Sequence, residues 1–358
     1  MPYCLPIKVF DFFSGCGGAS QGFRQVGMDI VFALDNDLAA AYTFRKNFPE
    51  TYFLCEDITR MTVEQIRPQI DACQGYPVLF SGCAPCQPFT KQNTRRRSGD
   101  KRGTLLQYFK QLVKTYLPEL VFVENVPGVQ KVNSEGGPFG EFVETLKSRD
   151  YVVAYDILAS QDYGVPQMRR RLVLIASRLG PLALPPKTHG PGTAHPAYLT
   201  VREWIGDLPP IRAGEAHPTV PNHRAMTLSP QNLKRIRAIP EGGDRRSWPE
   251  HLRLRCHSEG YNGHTDVYGR MRWDAPASGL TTRCISLSNG RFGHPEQDRA
   301  ISVREAACLQ TFPRNFLFYG SLTAMARQVG NAVPVEMAKV FGEAFVRHYE
   351  AFSARGGT

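Results

Sequence analysis

The 358-residue chain lacks several features that would set it apart from ordinary globular proteins. It contains no run of about 18 apolar residues and no N-terminal pattern of a secretion signal, so we expect neither a membrane span nor export. Its nine cysteines have no regular spacing, which indicates a reducing compartment rather than a disulfide framework. With 42% hydrophobic residues and no internal repeats, the sequence predicts a soluble, cytoplasmic protein with a full core.

The positive charge of the chain, a formal +10 at neutral pH, is concentrated in two places. Residues 91–102 (KQNTRRRSGDKR) contain six Lys or Arg and one Asp, and residues 178–300 contain 17 Lys or Arg and 11 Asp or Glu. The rest of the chain is close to neutral. Because neutralising phosphates requires Lys and Arg on one surface, this distribution favours a polyanionic partner over a merely solubilising surface.

Apolar runs and helical patterns alternate through the first half of the chain. Several of the apolar runs are continuous, as expected of parallel strands buried on both faces. The alternation predicts an α/β fold with a doubly wound, Rossmann-like sheet and right-handed crossovers. The strand candidates are 7–13, 30–34, 52–57, 78–81, 120–124, 152–157 and 171–176, and the helix candidates between them include 37–47, 63–72 and 104–116.

The pattern changes near residue 178, where the composition shifts to Pro, Gly, His and Arg and no βαβ rhythm can be followed. This segment, to about residue 300, is predicted to be a smaller, irregular second domain. Helical periodicity returns at Val303 and again from Leu322 to Tyr349, with Pro334 near the start of the last helix. We therefore predict a first domain at 1–177, a second at 178–300 and a segment at 301–358 that returns to the first.

A glycine-rich turn, Asp11 to Gly18 (DFFSGCGG), follows the first predicted strand. Glycines at a strand-to-helix turn let the backbone approach a ligand closely. Ser20 stands where the dinucleotide pattern has its third glycine, which disfavours a nicotinamide cofactor. Asp35 and Asp57 follow the next two strands, where carboxylates can accept hydrogen bonds from ribose hydroxyls and an adenine amino group. Together they favour a nucleoside-containing cofactor, with a structural turn as the alternative.

The fourth predicted strand leads into a loop with two cysteines, Cys83 and Cys86 (SGCAPCQPF). A zinc site would need a second ligand pair, and we predict no metal because the candidates are irregularly spaced: His251, Cys256, His257 and His264. A thioredoxin-like pair would open a helix, whereas Pro85 and Pro88 hold Cys86 on a loop at the end of a strand. The loop therefore favours Cys86 as a nucleophile.

Six short motifs occur in the same order as the motifs of the DNA cytosine-5 methyltransferase family, which the sequence therefore resembles. They span residues 11–334 and flank the irregular segment, which falls where the family carries its variable target recognition domain. The resemblance implies an S-adenosylmethionine-dependent methyltransferase sheet with a smaller recognition domain. The motifs are DFFSGCGG, APCQPF, ENV at Glu124–Val126, QMRRR at Gln167–Arg171, REAACLQTFP and QVGNAVP.

The resemblance implies roles for four catalytic residues. Cys86 would attack C6 of cytosine, and Glu124 would hold N3 and the exocyclic amine. Arg171, with Arg169 nearby, would contact the O2 side and the nucleophile loop. Addition of a thiolate at C6 makes C5 nucleophilic enough to attack a methyl sulfonium, and β-elimination later releases the cysteine. Arginines favour the thiolate, and a carboxyl group at N3 stabilises the developing charge.

The resemblance also implies the cofactor, S-adenosylmethionine, and the product, S-adenosylhomocysteine. Asp35 would take the family's ribose position and Asp57 its adenine position. Asn36 stands where the family often has an aromatic residue, a departure at the adenine-stacking position. The residues assigned to the cofactor are Phe12, Ser14, Gly15, Gly17, Gly18, Asp35, Asn36, Asp57, Ile58, Leu105 and Asn331.

The target base must leave the stacked duplex to reach such a site, at a cost of roughly a few kcal/mol. The basic loop at 91–102 follows Cys86 directly, and we predict that it closes over the flipped nucleotide, with a charged surface loop as the alternative. Side chains between 178 and 300 are expected to read bases. The residues assigned to DNA are Gln87, Lys91, Arg95, Arg96, Arg97, Arg270, Arg272, Thr282 and Arg283.

The sequence thus predicts a monomeric DNA cytosine-5 methyltransferase of the bacterial or phage restriction-modification type. Its partners would be duplex DNA and a cognate restriction endonuclease system, without a membrane. A tRNA cytosine-5 methyltransferase carries similar motifs, but the broad basic segment suits duplex grooves better. A catalytically idle DNA-binding protein is the third reading, and the presence of Cys86, Glu124 and Arg171 disfavours it.

Overall fold

The computed structural model describes residues 5–84, 105–128, 137–254 and 266–356. The chain divides into two compact units, each of them discontinuous in sequence. The first unit consists of residues 1–159, 170–186 and 335–358, and the second of residues 160–169 and 187–334. Among the described residues, none of the helices combines the length and the apolar character of a membrane span.

The described residues form strands and helices in the alternation that the sequence predicts. In chain order, the strands are β1 (Lys8–Phe12), β2 (Asp29–Asp35), β3 (Tyr52–Cys55), β4 (Val78–Gly82), β5 (Leu120–Asn125), β6 (Val152–Ala159), β7 (Gln167–Met168), β8 (Arg170–Ser177) and β9 (Ala277–Ser278). The helices are α1 (Gly18–Gln25), α2 (Leu38–Asn47), α3 (Arg67–Asp71), α4 (Leu105–Tyr116), α5 (Pro138–Lys147), α6 (Val201–Ile205), α7 (Pro230–Arg237), α8 (Val303–Leu309), α9 (Leu322–Asn331) and α10 (Val335–Ser353).

The first unit is built on a seven-stranded sheet in the order β3-β2-β1-β4-β5-β8-β6. Strands β1 to β5 are parallel, whereas β8 runs antiparallel to both of its neighbours, β5 and β6. The order of the strands reverses between β1 and β4, and in open α/β sheets ligands bind outside the carboxyl ends of the strands at such a point. The predicted α/β, Rossmann-like fold class is confirmed.

Aromatic side chains cover both faces of this sheet. On one face, Phe80 packs against Phe10 and Phe12, with ring centroids 5.3 and 5.1 Å apart. On the other face, Phe122 of β5 contacts Phe23 of α1 at 5.4 Å and Phe341 of α10 at 5.6 Å. Phe109 of α4 packs on the first face, 5.6 Å from Phe12, so helices lie on both faces, as in a doubly wound sheet.

The second unit has few regular elements, and its interior combines hydrophobic clusters with buried charged side chains. Arg299 is fully buried, and its guanidinium donates hydrogen bonds of 2.6 and 2.7 Å to the two carboxylate oxygens of Glu305. Burial acts to raise the pKa of Glu305, but the bonds and charge of Arg299 outweigh it and bring this pKa to about 2. Ser302 and Glu305 also form the capping box that starts α8.

The second unit includes two stretches that the predicted domain boundaries place elsewhere, residues 160–169 and 301–334. The ion pair between Arg299 and Glu305 joins α8 to the irregular segment. The Gln167 amide likewise donates to the Leu309 carbonyl at 3.2 Å. These contacts are non-local, so composition does not reveal them. The functional boundaries at 177 and 300 stay predictions.

Candidate active site

Polar side chains of the first unit gather at the carboxyl edge of the sheet. Parallel strands β1 to β5 all end at this edge, and antiparallel β8 begins there, because Leu172 near its start pairs with Asn125 at the end of β5. The edge lies beside the reversal of strand order, so this arrangement assembles a site from the ends of six strands.

The glycine-rich turn after β1 is joined to the end of β2 through Asp35. One carboxylate oxygen of Asp35 accepts from the N–H of Gly15 at 2.8 Å, and the other accepts from the N–H of Asp37 at 2.8 Å. Burial raises the pKa of Asp35. Each oxygen keeps a lone pair, so the carboxylate can still accept hydrogen bonds from a diol.

The backbone of the turn takes conformations that favour glycine. Gly15 and Gly17 have φ values of 54° and 98°, and a Cβ on Gly17 would lie 2.6 Å from the ring of Phe48. Ser14 donates its N–H to the Leu34 carbonyl at 3.0 Å, and Gly18 is the first residue of α1. The four predicted turn residues are therefore brought together with Asp35.

Phe12, which the sequence assigns to the cofactor, lies at the end of β1, and its contact with the cofactor stays a prediction. Its side chain is fully buried in the core and packs against Phe32, Phe80 and Phe109. The next residue, Phe13, is only half-buried and has a φ of 61°, which is uncommon outside glycine. Phe13 follows the end of β1, and its side chain packs against the same core.

Asn36 and Asp57 also meet at this edge. The Asp57 carboxylate accepts from the N–H of Thr59 at 2.9 Å, which lowers the pKa of Asp57, and a hydrogen bond with the Asn36 side chain adds to this effect. Ile58 is buried in the core, and Leu105 is half-buried at the start of α4. The Asn36 side chain therefore holds the Asp57 carboxylate, and the predicted contact of Asp57 with adenine stays a prediction.

A buried carboxyl group connects the turn to β4. Asp11, in the middle of β1, accepts hydrogen bonds from Ser20 of α1 at 2.5 Å and from Ser81 of β4 at 2.9 Å. Burial raises its pKa to about 6, while the two hydroxyl donors lower it. Ser20 therefore replaces the third glycine of the dinucleotide pattern with a donor to Asp11. An acid inside the apolar run IKVFDFF was the sequence signal for this group.

Glu124 and Arg171 form an ion pair at the same edge. Arg171 Nε lies 2.9 Å from Glu124 Oε1, and Glu124 is only 7% exposed. The pair joins β5 to β8, and Arg171 Nη1 also donates to the Arg170 carbonyl at 2.8 Å. A nearly buried carboxyl group beside a fixed cation can hold a hydrogen-bonding heterocycle and stabilise charge that develops on it.

Asn125, next to Glu124, connects β5 to the end of β4. Its side-chain amide donates to the Ala84 carbonyl at 3.1 Å. Between these strands, burial raises the pKa of the Cys83 thiol well above its ordinary value, and the charge of Glu124 adds to the effect. Cys83 is therefore a protonated thiol, and Asn125 positions the last described residue before the predicted nucleophile loop.

Six predicted residues lie outside the described residues: Cys86, Gln87, Lys91, Arg95, Arg96 and Arg97. One predicted catalytic residue, Arg169, and one predicted cofactor residue, Asn331, belong to the second unit. Arg169 is buried there, and its Nη1 donates to the Gly330 carbonyl at 2.8 Å and the Leu280 carbonyl at 3.2 Å. Asn331 is exposed at the end of α9. Arg171 is therefore the arginine that pairs with Glu124, whereas Arg169 donates to backbone carbonyls of the second unit.

The four predicted DNA contacts of the second unit differ in exposure. Arg270 is 4% exposed, and all five of its N–H groups are used within the unit, four on backbone carbonyls and one on Asp298 at 2.6 Å. The donors of this guanidinium are thus engaged within the unit, which disfavours a contact of Arg270 with DNA, and that contact stays a prediction. Arg272, Thr282 and Arg283 are exposed.

The model of the C-5 cytosine-specific DNA methylases matches residues 7–347, nearly the whole chain. The chain belongs to this family. It is 38% identical over 352 residues to the Type II methylase M.HgiDII of Herpetosiphon aurantiacus, covering 97% of both chains. It is 33% identical to the Type II methyltransferase M1.HphI of Haemophilus parahaemolyticus, covering 96% of this chain and 88% of that one. The protein is a DNA cytosine-5 methyltransferase.

Solved structures share its fold. A protein described as a DNA modification methyltransferase encoded within a prophage of E. coli aligns with a TM-score of 0.74 at 21% identity, covering 96% of this methyltransferase and 99% of that chain. A mutant of DNMT2 from Spodoptera frugiperda aligns with a TM-score of 0.63 at 18% identity, with 96% and 99% coverage. At these identities the likeness concerns the fold.

Proposed function

We propose that this methyltransferase modifies C5 of a cytosine within a specific duplex DNA sequence, through base flipping and a covalent bond between Cys86 and cytosine C6. The observation that carries the proposal is the ion pair of Glu124 and Arg171, which lies 2.9 Å apart at the carboxyl edge of the sheet. Asn125 joins this pair's strand to Ala84, two residues before Cys86. A base-holding carboxyl group thus stands beside the strand end that presents the nucleophile.

The proposed chemistry assigns one role to each side chain. The Cys86 thiolate adds to C6, and the electron pair of the C5–C6 double bond becomes available at C5 for attack on a methyl group. Glu124 holds a proton at N3 and accepts from the exocyclic amine, and Arg171 keeps the carboxyl group in place and contacts the O2 side. Loss of the C5 proton and β-elimination then release Cys86 and restore the aromatic base.

The cofactor proposed is S-adenosylmethionine, which supplies an electrophilic methyl group on sulfur when bound and leaves as S-adenosylhomocysteine. The donor set at the edge suits its nucleoside part. Asp35 keeps lone pairs for a ribose diol, and Asp57 can accept from an adenine amino group. The turn at 14–18 offers close backbone approach. The proposal includes no metal.

The DNA contacts are proposed in two groups. The loop at 91–102 closes over the flipped nucleotide, with Lys91 and the arginines at 95–97 on phosphates and Gln87 beside the base. In the second unit, the exposed residues Arg272, Thr282 and Arg283 contact the duplex.

We further propose that the enzyme acts as a monomer in the cytoplasm and serves a restriction-modification system with a cognate endonuclease. Support for the restriction-modification role comes from the curated relatives, which are named Type II methylases or methyltransferases and of which the chain covers 97% and 88%.

The deciding experiment incubates the enzyme and S-adenosylmethionine with duplex DNA or tRNA that contains 5-fluorocytosine, which blocks loss of the C5 proton. We expect an adduct that survives denaturation on duplex DNA and disappears in Cys86→Ala. The matched control is Cys73→Ala, because Cys73 is a core cysteine of the first unit with no role in the proposed chemistry. This control should retain the adduct.

The other outcomes are equally informative. An adduct on tRNA alone would establish the tRNA reaction instead, and no adduct on either substrate would leave a DNA-binding protein without this chemistry. An adduct that persists in Cys86→Ala would refute the assignment of the nucleophile.

A further inference from the structure

Two neighbouring loops of the second unit each carry an exposed arginine. We name them the glycine loop, residues 240–247 (PEGGDRRS), and the tryptophan loop, residues 270–274 (RMRWD). Three hydrogen bonds join them: Gly242 N–H to the Met271 carbonyl at 3.2 Å, Arg270 N–H to the Gly243 carbonyl at 3.0 Å, and Trp273 N–H to Glu241 Oε1 at 2.7 Å. The two loops therefore form one connected surface.

The backbone of this surface is fixed in one conformation. Arg291 donates from Nη1 to the carbonyls of Gly242 and Gly243 at 2.6 and 2.8 Å, and to that of Arg270 at 3.3 Å. Gly242 has a φ of 69°, and a Cβ there would lie 2.7 Å from Cγ of Arg272. The position thus requires glycine, and the stem of Arg272 lies directly on it.

Each loop holds its exposed arginine with a carboxylate two residues away. Arg246 donates from Nε to Asp244 Oδ1 at 2.9 Å and from Nη2 to Oδ2 at 2.7 Å. Arg272 donates from Nε to Asp274 Oδ1 and from Nη2 to Oδ2, both at 3.0 Å. The two arginine side chains are nevertheless 72% and 61% exposed. The same bidentate arrangement therefore occurs twice on one surface.

Both carboxylates occupy the same edge of their guanidinium, the one formed by Nε and Nη2. The end of each guanidinium carries a second pair of N–H donors, one on Nη1 and one on Nη2. Within the described residues this second pair has no protein partner, and it points away from the carboxylate. A guanidinium fork matches the O6 and N7 acceptors of guanine in the major groove. Buttressing by Asp244 and Asp274 fixes the fork in advance, which reduces the entropy lost on binding.

The paired carboxylates also favour contacts of these arginines with base edges over contacts with phosphates. Asp274 offsets the charge of Arg272, while Asp244 is shared between Arg246 and Arg291, and Arg291 also pairs with Asp266. The three arginines thus face three aspartates, so this surface adds little to phosphate attraction, which depends on net positive charge. What remains is directional hydrogen bonding, which carries sequence information.

We propose that Arg246 and Arg272 are specificity-determining residues of this methyltransferase, each of which recognises a guanine in the major groove of the target duplex. The inference rests on the proposed DNA methylation and adds the bases that are read. It requires that the methylated sequence contain guanines, on either strand, at the two positions these side chains contact.

The test maps methylated cytosines by bisulfite sequencing in a bacterial host that has no cytosine-5 methylation of its own. The chains expressed are the wild type, Arg246→Ala, Arg246→Lys, Arg272→Ala and Arg272→Lys. Alanine removes both charge and fork, whereas lysine keeps the charge and removes the fork. We expect both substitutions at one site to broaden the consensus at one guanine, by roughly 5- to 150-fold in discrimination, and to leave the other positions unchanged.

Two further variants sharpen the result. Asp274→Asn keeps the shape of the buttress and removes its charge, so it should broaden the same position as Arg272→Ala, but less. Arg67→Ala is the matched control, because Arg67 is 50% exposed and donates from Nε to Glu64 at 2.7 Å on the first unit. Its consensus should equal that of the wild type. Thermal unfolding of the Arg272 variants should be close to wild type, because both members of that ion pair are exposed. Arg246→Ala should unfold at a lower temperature than Arg246→Lys, because Asp244 is only 5% exposed and alanine leaves it with Arg291 as its remaining cation.

Three outcomes would overturn the inference. An unchanged consensus in all four arginine variants would show that neither side chain reads a base. Uniformly weaker methylation that lysine restores would assign the arginines to phosphates. A wild-type chain that methylates no sequence and forms no 5-fluorocytosine adduct would remove the proposed function itself, which distinguishes that failure from the first two.

Discussion

Single residues at the carboxyl edge link motifs that are far apart in sequence. Asn125 is the clearest case, because its amide donates to the Ala84 carbonyl at 3.1 Å and thereby joins the strand of Glu124 to the chain that leads into Cys86. Truncation would leave a buried carbonyl unpaired, at a cost of about 1–3 kcal/mol.

We therefore predict that Asn125→Ala lowers kcat for methyl transfer by about ten- to hundredfold, because the nucleophile loop loses its anchor. KM for S-adenosylmethionine should change little. Steady-state transfer of labelled methyl groups gives both constants. Gln107→Ala is the control, because this amide on α4 donates instead to Glu141 of α5 at 2.7 Å. A fall in kcat that Gln107→Ala matches, or a change confined to KM, would contradict the anchoring role.

Asp11 predicts a pH dependence of stability. Burial raises its pKa from 3.8 to about 6, so the folded state binds this proton more tightly than the unfolded chain does. The resulting stabilisation is fully present below about pH 4 and is lost as the pH rises to about 6. Relative to Asp11→Asn, the wild type should lose about 3 kcal/mol of unfolding free energy between these pH values.

Urea unfolding of both chains from pH 4 to pH 7 measures this difference. The exposed Asp71→Asn serves as the control, and its curve should run parallel to that of the wild type. Parallel curves for Asp11→Asn would argue against a raised pKa at Asp11.

Burial of a particular residue is the part of the site that sequence reasoning predicts least well. Arg270 and Arg272 stand two positions apart in similar surroundings, yet Arg270 is bonded to carbonyls contributed by 236–239 and 294–297, and Arg272 is exposed. Phe12 and Phe13 differ in the same way. Short motifs and the positions of strand ends can be recognised in the local sequence, and they led to the assignments of Asp35, Asp57, Glu124 and Arg171. The burial of a side chain depends on contacts with distant segments, which the local sequence does not reveal.

At the scale of elements, the strand and helix alternation of the first half was predictable because each element has its own period. The antiparallel direction of β8 could not be predicted from the sequence. Residues 160–169, which connect β6 to β8, belong to the second unit, so the connection is neither a tight hairpin nor a helical crossover. The consequence is functional, because only an antiparallel β8 starts at the edge where β5 ends and brings Arg171 to Glu124.

The packing of α1 against α10 depends on a glycine. A Cβ on Gly22 of α1 would lie 2.5 Å from the Val335 carbonyl oxygen and 2.6 Å from Ala338 Cβ. Gly22→Ala should therefore destabilise the protein by about 1–3 kcal/mol through overpacking. Gly140 of α5 is the matched site, because nothing lies within 4 Å of a Cβ there. Gly140→Ala should stabilise by about 0.5 kcal/mol. Urea denaturation measures both, and effects of the same sign would contradict this account.

At the scale of the whole molecule, charge and architecture divide the chain differently. Composition marks residues 178–300 as a separate segment, while the second compact unit extends to residue 334 and includes α8 and α9. The buried pair of Arg299 and Glu305 crosses the boundary suggested by composition. The distribution of charge along the sequence indicates where a polyanion is expected to bind. The buried ion pairs indicate which segments fold together, and the two divisions of the chain differ.

The basic loop at 91–102 predicts how strongly DNA binding depends on salt. Each phosphate contact contributes about 0.9 to the slope of log K against log salt concentration for duplex DNA. Replacing Arg95, Arg96 and Arg97 by Gln should therefore lower affinity and reduce the slope by about 2 to 3. Fluorescence anisotropy with a labelled duplex at several salt concentrations measures it.

The control for that prediction carries the same change in net charge. Arg67, Lys147 and Arg347 are 50%, 57% and 63% exposed and are paired with neighbouring carboxylates on helical segments of the first unit. Because their charges are already compensated, replacing all three by Gln should leave the slope nearly unchanged. If both triple variants reduced the slope equally, DNA would be responding to the total charge of the molecule, and the loop at 91–102 would not be the surface that contacts phosphates.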